Sequence, residues 1–181
     1  MKKGDKDLIH TYNNSENEVK KMEDLSSKRL VIDRITGNNN DGLKEGVFIY
    51  TDGGARKNPG PAASAFIILD RNREMIHESG LYLGHATNNI AEYTAVISAL
   101  KKAAGYTSGV VDLYSDSELV IRQLTGRYSV NKPHLAKLVN EVRILEKAFS
   151  KVNYHNVPRE EKNISYCDSI CNKVLDESIP K

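Results

Sequence analysis

The stretch 46-GVFIYTDGGARKNPGPAASAFIIL-69 sets a short apolar run, Val47–Tyr50, against a Gly- and Pro-rich segment, and then a second apolar run, Ala62–Leu69. The first run reads as a buried central strand ending in a Gly-rich turn, and the second as a strand of its own. Working outward, 70-DRNRE-74 is a turn and Met75–Leu83 a third strand. Links this short join antiparallel neighbours. Asn89–Ala104 then reads as a helix stopped by Gly105, Val110–Tyr114 as a fourth strand, and Glu118–Leu124 as a short helix. Leu135, Leu138, Val139, Val142, Leu145 and Phe149 share one face of a helix entered through Pro133. Val152–Val157 is a fifth strand and Ile164–Glu177 a closing helix. This order points to one mixed sheet covered by helices, an α/β fold.

The 181 residues suffice for one core-bearing domain with some chain to spare. That surplus is residues 1–45, rich in Asn, Lys, Glu and Ser and ending in 37-GNNNDGLKEG-46. They are expected to be a polar, mostly mobile extension, in which Leu30–Ile35 alone has the apolar content for a strand or short helix. Residues 46–181 form the expected folded domain. No run approaches the roughly 20 apolar residues of a membrane-spanning helix. No apolar core follows the N-terminal lysines, so a secretory signal is not expected either. A cytoplasmic protein without a membrane partner is the expectation. The net charge of +2 is too small to argue nucleic-acid binding by itself, so any basic footprint must be local. Cys167 and Cys171, four residues apart in a helix, are badly spaced for a disulfide, and nothing nearby completes a zinc set. They read as small buried residues.

Four carboxylates occupy suggestive places. Asp52 follows the first strand; Glu92 lies in the first turn of a helix; Asp116 ends the fourth strand; Asp168 lies early in the last helix. Strand ends and helix starts can converge on one rim of a sheet. Mg²⁺ is typically held by carboxylates together with substrate phosphate, and two such ions about 4 Å apart can stabilise both oxygens of a phosphodiester displacement. Without a metal, that many acids would repel one another and raise their own pKa values. Singly, each has a plainer explanation. Asp52 suits a turn, Glu92 a helix dipole, Asp116 an N-cap, and Asp168 a solvated helix face. Their joint occurrence in ordered motifs shifts the balance.

Those motifs, TDGGARKNPGPAA, ATNNIAEYTAVISAL, LYSDSELVIRQLTG and VPREEKN…CDSICNKVLD, resemble type 1 ribonuclease H from Gly46 to about Asp176. The likeness is to the compact bacterial and archaeal branch that lacks the basic handle helix. It implies a ribonuclease H-like fold, with a five-stranded mixed sheet of three antiparallel strands and then two parallel ones. It also implies that residues 46–181 are a catalytic domain, a metal-dependent endonuclease that hydrolyses the RNA strand of an RNA–DNA hybrid. Two Mg²⁺ ions, with Mn²⁺ as a substitute, would act, leaving 5′-phosphate and 3′-hydroxyl ends. By the same resemblance Asp52 bridges both ions, Asp168 completes the site on the side of the attacking water, and Glu92 and Asp116 serve the leaving 3′ oxygen. A monomer would suffice, because one chain supplies the whole site.

A hybrid-cutting enzyme must detect 2′-hydroxyls in a shallow minor groove. Asn58, Asn88 and Asn89 match positions that touch RNA or DNA in the family, and Gly53, Gly54 and Gly60 allow close backbone approach to ribose. By the same resemblance Thr87 and Asn89 suit a DNA-phosphate pocket. The plainer readings are helix capping for Asn88 or Asn89 and turn geometry for the glycines. Arg122, Arg127 and Lys132 are either phosphate contacts or scattered surface charge. The loop 158-PREEKN-163 lacks the histidine that many relatives use in product release; by resemblance to relatives with an acidic residue there, Glu160 or Glu161 takes that role, and solvated loop charge is the equally open reading. The alternatives are another nuclease of the same fold, told apart by cleavage of DNA, and a non-catalytic hybrid-binding protein, which would be expected to lose at least one of the four acids.

Overall fold

Residues 31–35 and 43–179 are described by the structure, a computed structural model. The remainder of the N-terminal extension, and the expectation of mobility there, lie outside the described residues. Six strands form one sheet: β1 (Val31–Ile35), β2 (Gly46–Ala55), β3 (Gly60–Leu69), β4 (Met75–Ala86), β5 (Val110–Ser115) and β6 (Lys151–Asn156), in the order β1-β4-β3-β2-β5-β6. β2, β3 and β4 pair antiparallel, and β5 and β6 continue the sheet in parallel. The helices are α1 (Asn88–Ala103), α2 (Glu118–Leu124), α3 (Pro133–Glu146) and α4 (Lys162–Ser178).

The alternation of β2 explains the layering. Val47 and Ile49 point to one face and pack with Val96 and Leu100 of α1 and with Leu135 and Val142 of α3. Tyr50 points to the other face, where Ile67, Ile164, Cys167, Ile170 and Val174 close a second core beneath α4. Both cysteines are buried and free. Their thiols rest on β2, Cys167 Sγ 3.4 Å from the Tyr50 carbonyl oxygen and Cys171 Sγ 3.6 Å from that of Asp52. No helix among the described residues is long and apolar enough to cross a membrane.

Two expectations need correction. The sheet has a sixth strand, because Val31–Ile35 pairs antiparallel with β4, Asp33 opposite Ser79 and Arg34 opposite Glu78. Its charges match two polar groups buried in β4. His77, fully buried, has Nε2 2.6 Å from Asp33 Oδ1 and Nδ1 3.2 Å from the Tyr106 hydroxyl. Glu78 accepts from the Tyr166 hydroxyl at 2.6 Å and faces Arg34 at 3.4 Å. Second, Asp52 lies within a strand and not after one. β2 runs on through the glycines to Ala55, pairing Asp52 with Ala65, Gly53 with Ser64 and Gly54 with Ala63. Small residues on both strands let the ladder persist where glycine would ordinarily weaken it.

Removing residues 1–42 is expected to leave a folded but weaker domain, because a buried imidazole and a buried carboxylate each lose a partner. The loss should be read as a lower denaturant midpoint, and an unchanged midpoint would show that β1 contributes nothing.

Candidate active site

Three elements meet at the Asp52 side chain. β2 supplies Asp52 from its middle; α1 supplies Glu92 from its second turn; Asp116 follows β5 at the point where the chain turns into α2. One ligand oxygen from each of these three residues lies within 4.8 Å of the others. The approach depends on Gly53. A Cβ there would stand 2.3 Å from the Ala91 carbonyl carbon and 2.4 Å from the Glu92 nitrogen, so only glycine lets α1 come this close. Asp168, on α4, lines the opposite side of the same cleft of about 250 Å³. Its carboxylate accepts from Arg159 Nη2 at 2.5 Å and from Asn172 Nδ2 at 2.9 Å.

Electrostatics single this cluster out. Burial, followed by the charges of Asp116 and Asp168, pushes the Asp52 carboxyl up from 3.8 to about 6. Burial and the charges of Asp52 and Asp116 push Glu92 well above the usual carboxylate range. Asp116 is raised as well, chiefly by burial, with Arg159 opposing. Glu92 Oε2 is shut off from solvent and has no hydrogen-bond partner among the described residues. A buried oxygen of that kind costs free energy unless something binds it. Oxygen donors, closely grouped and electrostatically strained, fit a hard divalent cation.

The other predicted positions frame this cleft in different ways. Asn58 and Asn88 clamp the β2–β3 turn onto α1. The Asn88 amide N–H donates to Asn58 Oδ1 at 3.1 Å, and the Ala55 N–H donates to Asn88 Oδ1 at 2.8 Å. The helix cap is Thr87, whose Oγ1 accepts from the Ile90 N–H at 3.3 Å; Asn88 and Asn89 are already helical. Gly60 is structural, since a Cβ would meet the Arg56 carbonyl oxygen at 2.0 Å. Gly54 is open, with nothing within 4 Å of a Cβ. Glu161 caps α4, accepting from the Asn163 and Ile164 N–H groups at 2.8 and 3.0 Å. Glu160 is exposed, and its charge reaches Asp116. Arg122 pairs with Glu118 at 2.5 Å and lies over the Tyr128 ring. Among the polar residues lining the cleft, the sequence reading does not reach Arg56, Arg159 and Asn172. Asn172 had a signal, its spacing of one helical turn from Asp168.

The comparisons with known proteins bear on this geometry. Residues 50–173 match the reverse transcriptase-like family. The crystal structure of RNase H1 from the halophilic archaeon Halobacterium salinarum superposes with a TM-score of 0.68 at 37% identity, covering 72% of this chain and 98% of that one. The chain belongs to the ribonuclease H1 family. The N-terminal RNase H domain of Rv2228c from Mycobacterium tuberculosis is similar at 36% identity and a TM-score of 0.69, covering 72% of this chain and 98% of that one. LC11-RNase H1, crystallised with an RNA/DNA hybrid, is similar at 34% identity and a TM-score of 0.69, covering 74% and 99%. Among full-length curated ribonuclease H relatives, the match spans 65% of the Halobacterium salinarum ribonuclease HI and 35% of the mycobacterial protein.

Two outcomes are expected of this site. The folded protein holds the Asp52 proton more tightly than the unfolded chain does. The resulting stability is therefore full below about pH 4 and is lost as pH rises through about 6, amounting to roughly 3 kcal/mol at most. In EDTA at pH 8, Asp52→Asn should therefore melt at a higher temperature than the wild type; a lower melting temperature would contradict the electrostatic reading. Gly53→Ala should destabilise the fold, whereas Gly54→Ala should melt like the wild type and yet bind substrate less well, as paired thermal-shift and binding measurements would reveal.

Proposed function

We propose that the chain is an endoribonuclease that hydrolyses the RNA strand of RNA–DNA hybrids with two divalent metal ions, leaving 5′-phosphate and 3′-hydroxyl ends. The observation that carries this reading is the meeting of Asp52, Glu92 and Asp116 within 4.8 Å, with Asp168 lining the same cleft. When bound, Mg²⁺ ions, or Mn²⁺ in their place, supply Lewis acidity on both sides of the scissile phosphate. Asp52 would help hold both, Asp168 would hold the ion that activates the attacking water, and Glu92 and Asp116 would hold the ion that stabilises the departing 3′ oxygen. The Asp52 and Glu92 carboxyls, both held protonated to higher pH by burial and mutual repulsion, must give up their protons before they can ligate, so metal binding strengthens as pH rises.

Recognition of the hybrid falls to the rim. Gly54 leaves room for a ribose against the β2 backbone. The Asn58–Asn88 clamp holds two amide side chains beside that space, in reach of 2′-hydroxyls. Thr87 and Asn89, at the start of α1, lie where helix-terminal N–H groups favour a DNA phosphate. Glu160 is better placed than Glu161 for product release, since the Glu161 carboxylate is occupied in capping α4. Residues 46–181 carry every named group, so a monomer suffices and a cytoplasmic site of action requires no membrane partner.

End-labelled RNA–DNA hybrid, RNA duplex, DNA duplex and single strands, each incubated with Mg²⁺, with Mn²⁺ and with EDTA, test this directly. Metal-dependent cutting confined to the RNA of the hybrid is expected, with a loss on the order of 10³-fold or more in Asp52→Asn. Cutting of DNA would assign another nuclease activity of the fold, and hybrid binding without cleavage would assign a non-catalytic role.

A further inference from the structure

Arg56 and Arg159 are the two cations that line the acidic cleft among the described residues, and they differ in what holds them. Arg159 is tied to Asp168, itself one of the four acids. Arg56 instead reaches across to Asp176, which lies on α4 outside the clustered carboxylates. Asp168, Asn172 and Asp176 recur every fourth residue, so they form one stripe along α4 beside the cleft. The Arg56–Asp176 pair is exposed, with 43% and 65% of the two side chains open to solvent. An ion pair of that kind contributes little to the fold and is easily exchanged for another partner.

The base of Arg56 is firm even though its tip is loosely held. The Arg56 N–H donates to the Pro61 carbonyl at 2.8 Å, closing the β2–β3 turn, and the neighbouring Ala55 N–H is held by Asn88 at 2.8 Å. A long guanidinium on a fixed base, parked on a replaceable carboxylate, thus stands beside four acids that repel a polyanion. Arginine binds a phosphate through paired hydrogen bonds and keeps its charge at every working pH.

We propose that Arg56 binds a backbone phosphate of the substrate next to the cleavage site, and that Asp176 holds the guanidinium until that phosphate displaces it. The proposal rests on the ribonuclease reading above. It gives the two partners opposite signs. Losing Arg56 removes a phosphate contact, whereas losing the Asp176 charge frees Arg56 to make one. A structural strut across the cleft would instead make both substitutions harmful in the same way.

The test is steady-state cleavage of labelled hybrid by the full chain and by Arg56→Gln, Arg56→Lys and Asp176→Asn, from about 50 to 200 mM salt. Melting curves would accompany each variant to verify folding. For Arg56→Gln the KM should rise about tenfold with kcat nearly unchanged, and the dependence of log KM on log salt should flatten by about 0.9. Arg56→Lys should keep the slope while recovering part of the affinity. Asp176→Asn should lower KM a few-fold with the slope intact. Arg56→Gln with unchanged KM and slope, or Asp176→Asn weakening binding as Arg56→Gln does, would overturn the proposal. A folded wild-type chain that leaves hybrids uncut would overturn the ribonuclease reading itself, and this proposal with it.

Discussion

The distance between β2 and the start of α1 is set where the Gly53 backbone touches Ala91 and Glu92, with no room for even a methyl group. That contact brings a strand carboxylate and a helix carboxylate into one site. Moving α1 outward by the width of a side chain would take Glu92 away from Asp52 and leave two unrelated surface acids. The remaining architecture supports this approach from both faces. Val47 and Ile49 hold α1 against the sheet, while Tyr50 and the two buried thiols seat α4 on the reverse side. The parallel pairing of β5 beside β2 then delivers Asp116 to the same end of the sheet.

Such a site is held together against its own charges. Asp52, Glu92 and Asp116 all have their ionised forms disfavoured, burial being the largest cause for each. Arg159 offsets part of this from the loop before α4. The stability given up here must come from the two cores, which is the usual relation between a preorganised polar site and its scaffold. A divalent cation removes the penalty at its origin, because it turns mutual repulsion into shared coordination.

Much of this was legible in the sequence, and most of the exceptions share a physical cause. Strand runs and helix periodicity are local patterns, so the succession of elements from β2 to α4 is legible in the residues, whereas the joint reading of Asp52, Glu92, Asp116 and Asp168 needs the family resemblance, each acid alone having a plainer explanation. The glycines after Asp52 announce a turn in the sequence, whereas in the fold they pair with the small residues of β3 and keep Asp52 inside the strand. The sequence of β1 is ambiguous between strand and helix because Asp33 and Arg34 interrupt its apolar run. Their reason for being there lies about 45 residues away, in His77 and Glu78. Arg56 is illegible for the same reason, since its partner Asp176 lies 120 residues away, whereas Arg159 sits in a loop with no periodic pattern, nine residues before Asp168. The two asparagines before Glu92 satisfied a capping pattern that Thr87 in fact fulfils.

β1 has a consequence for how copies of this chain meet one another. An unpaired edge strand is a template for strand addition by a neighbouring molecule. β4 is long, at 12 residues, and would present such an edge for much of its length if β1 were absent. β1 covers part of it and offers in its place an edge of only 5 residues carrying exposed Asp33 and Arg34. Short length and outward charge discourage a further strand from joining. The segment thereby limits self-association while setting Asp33 and Arg34 beside two buried polar groups of β4.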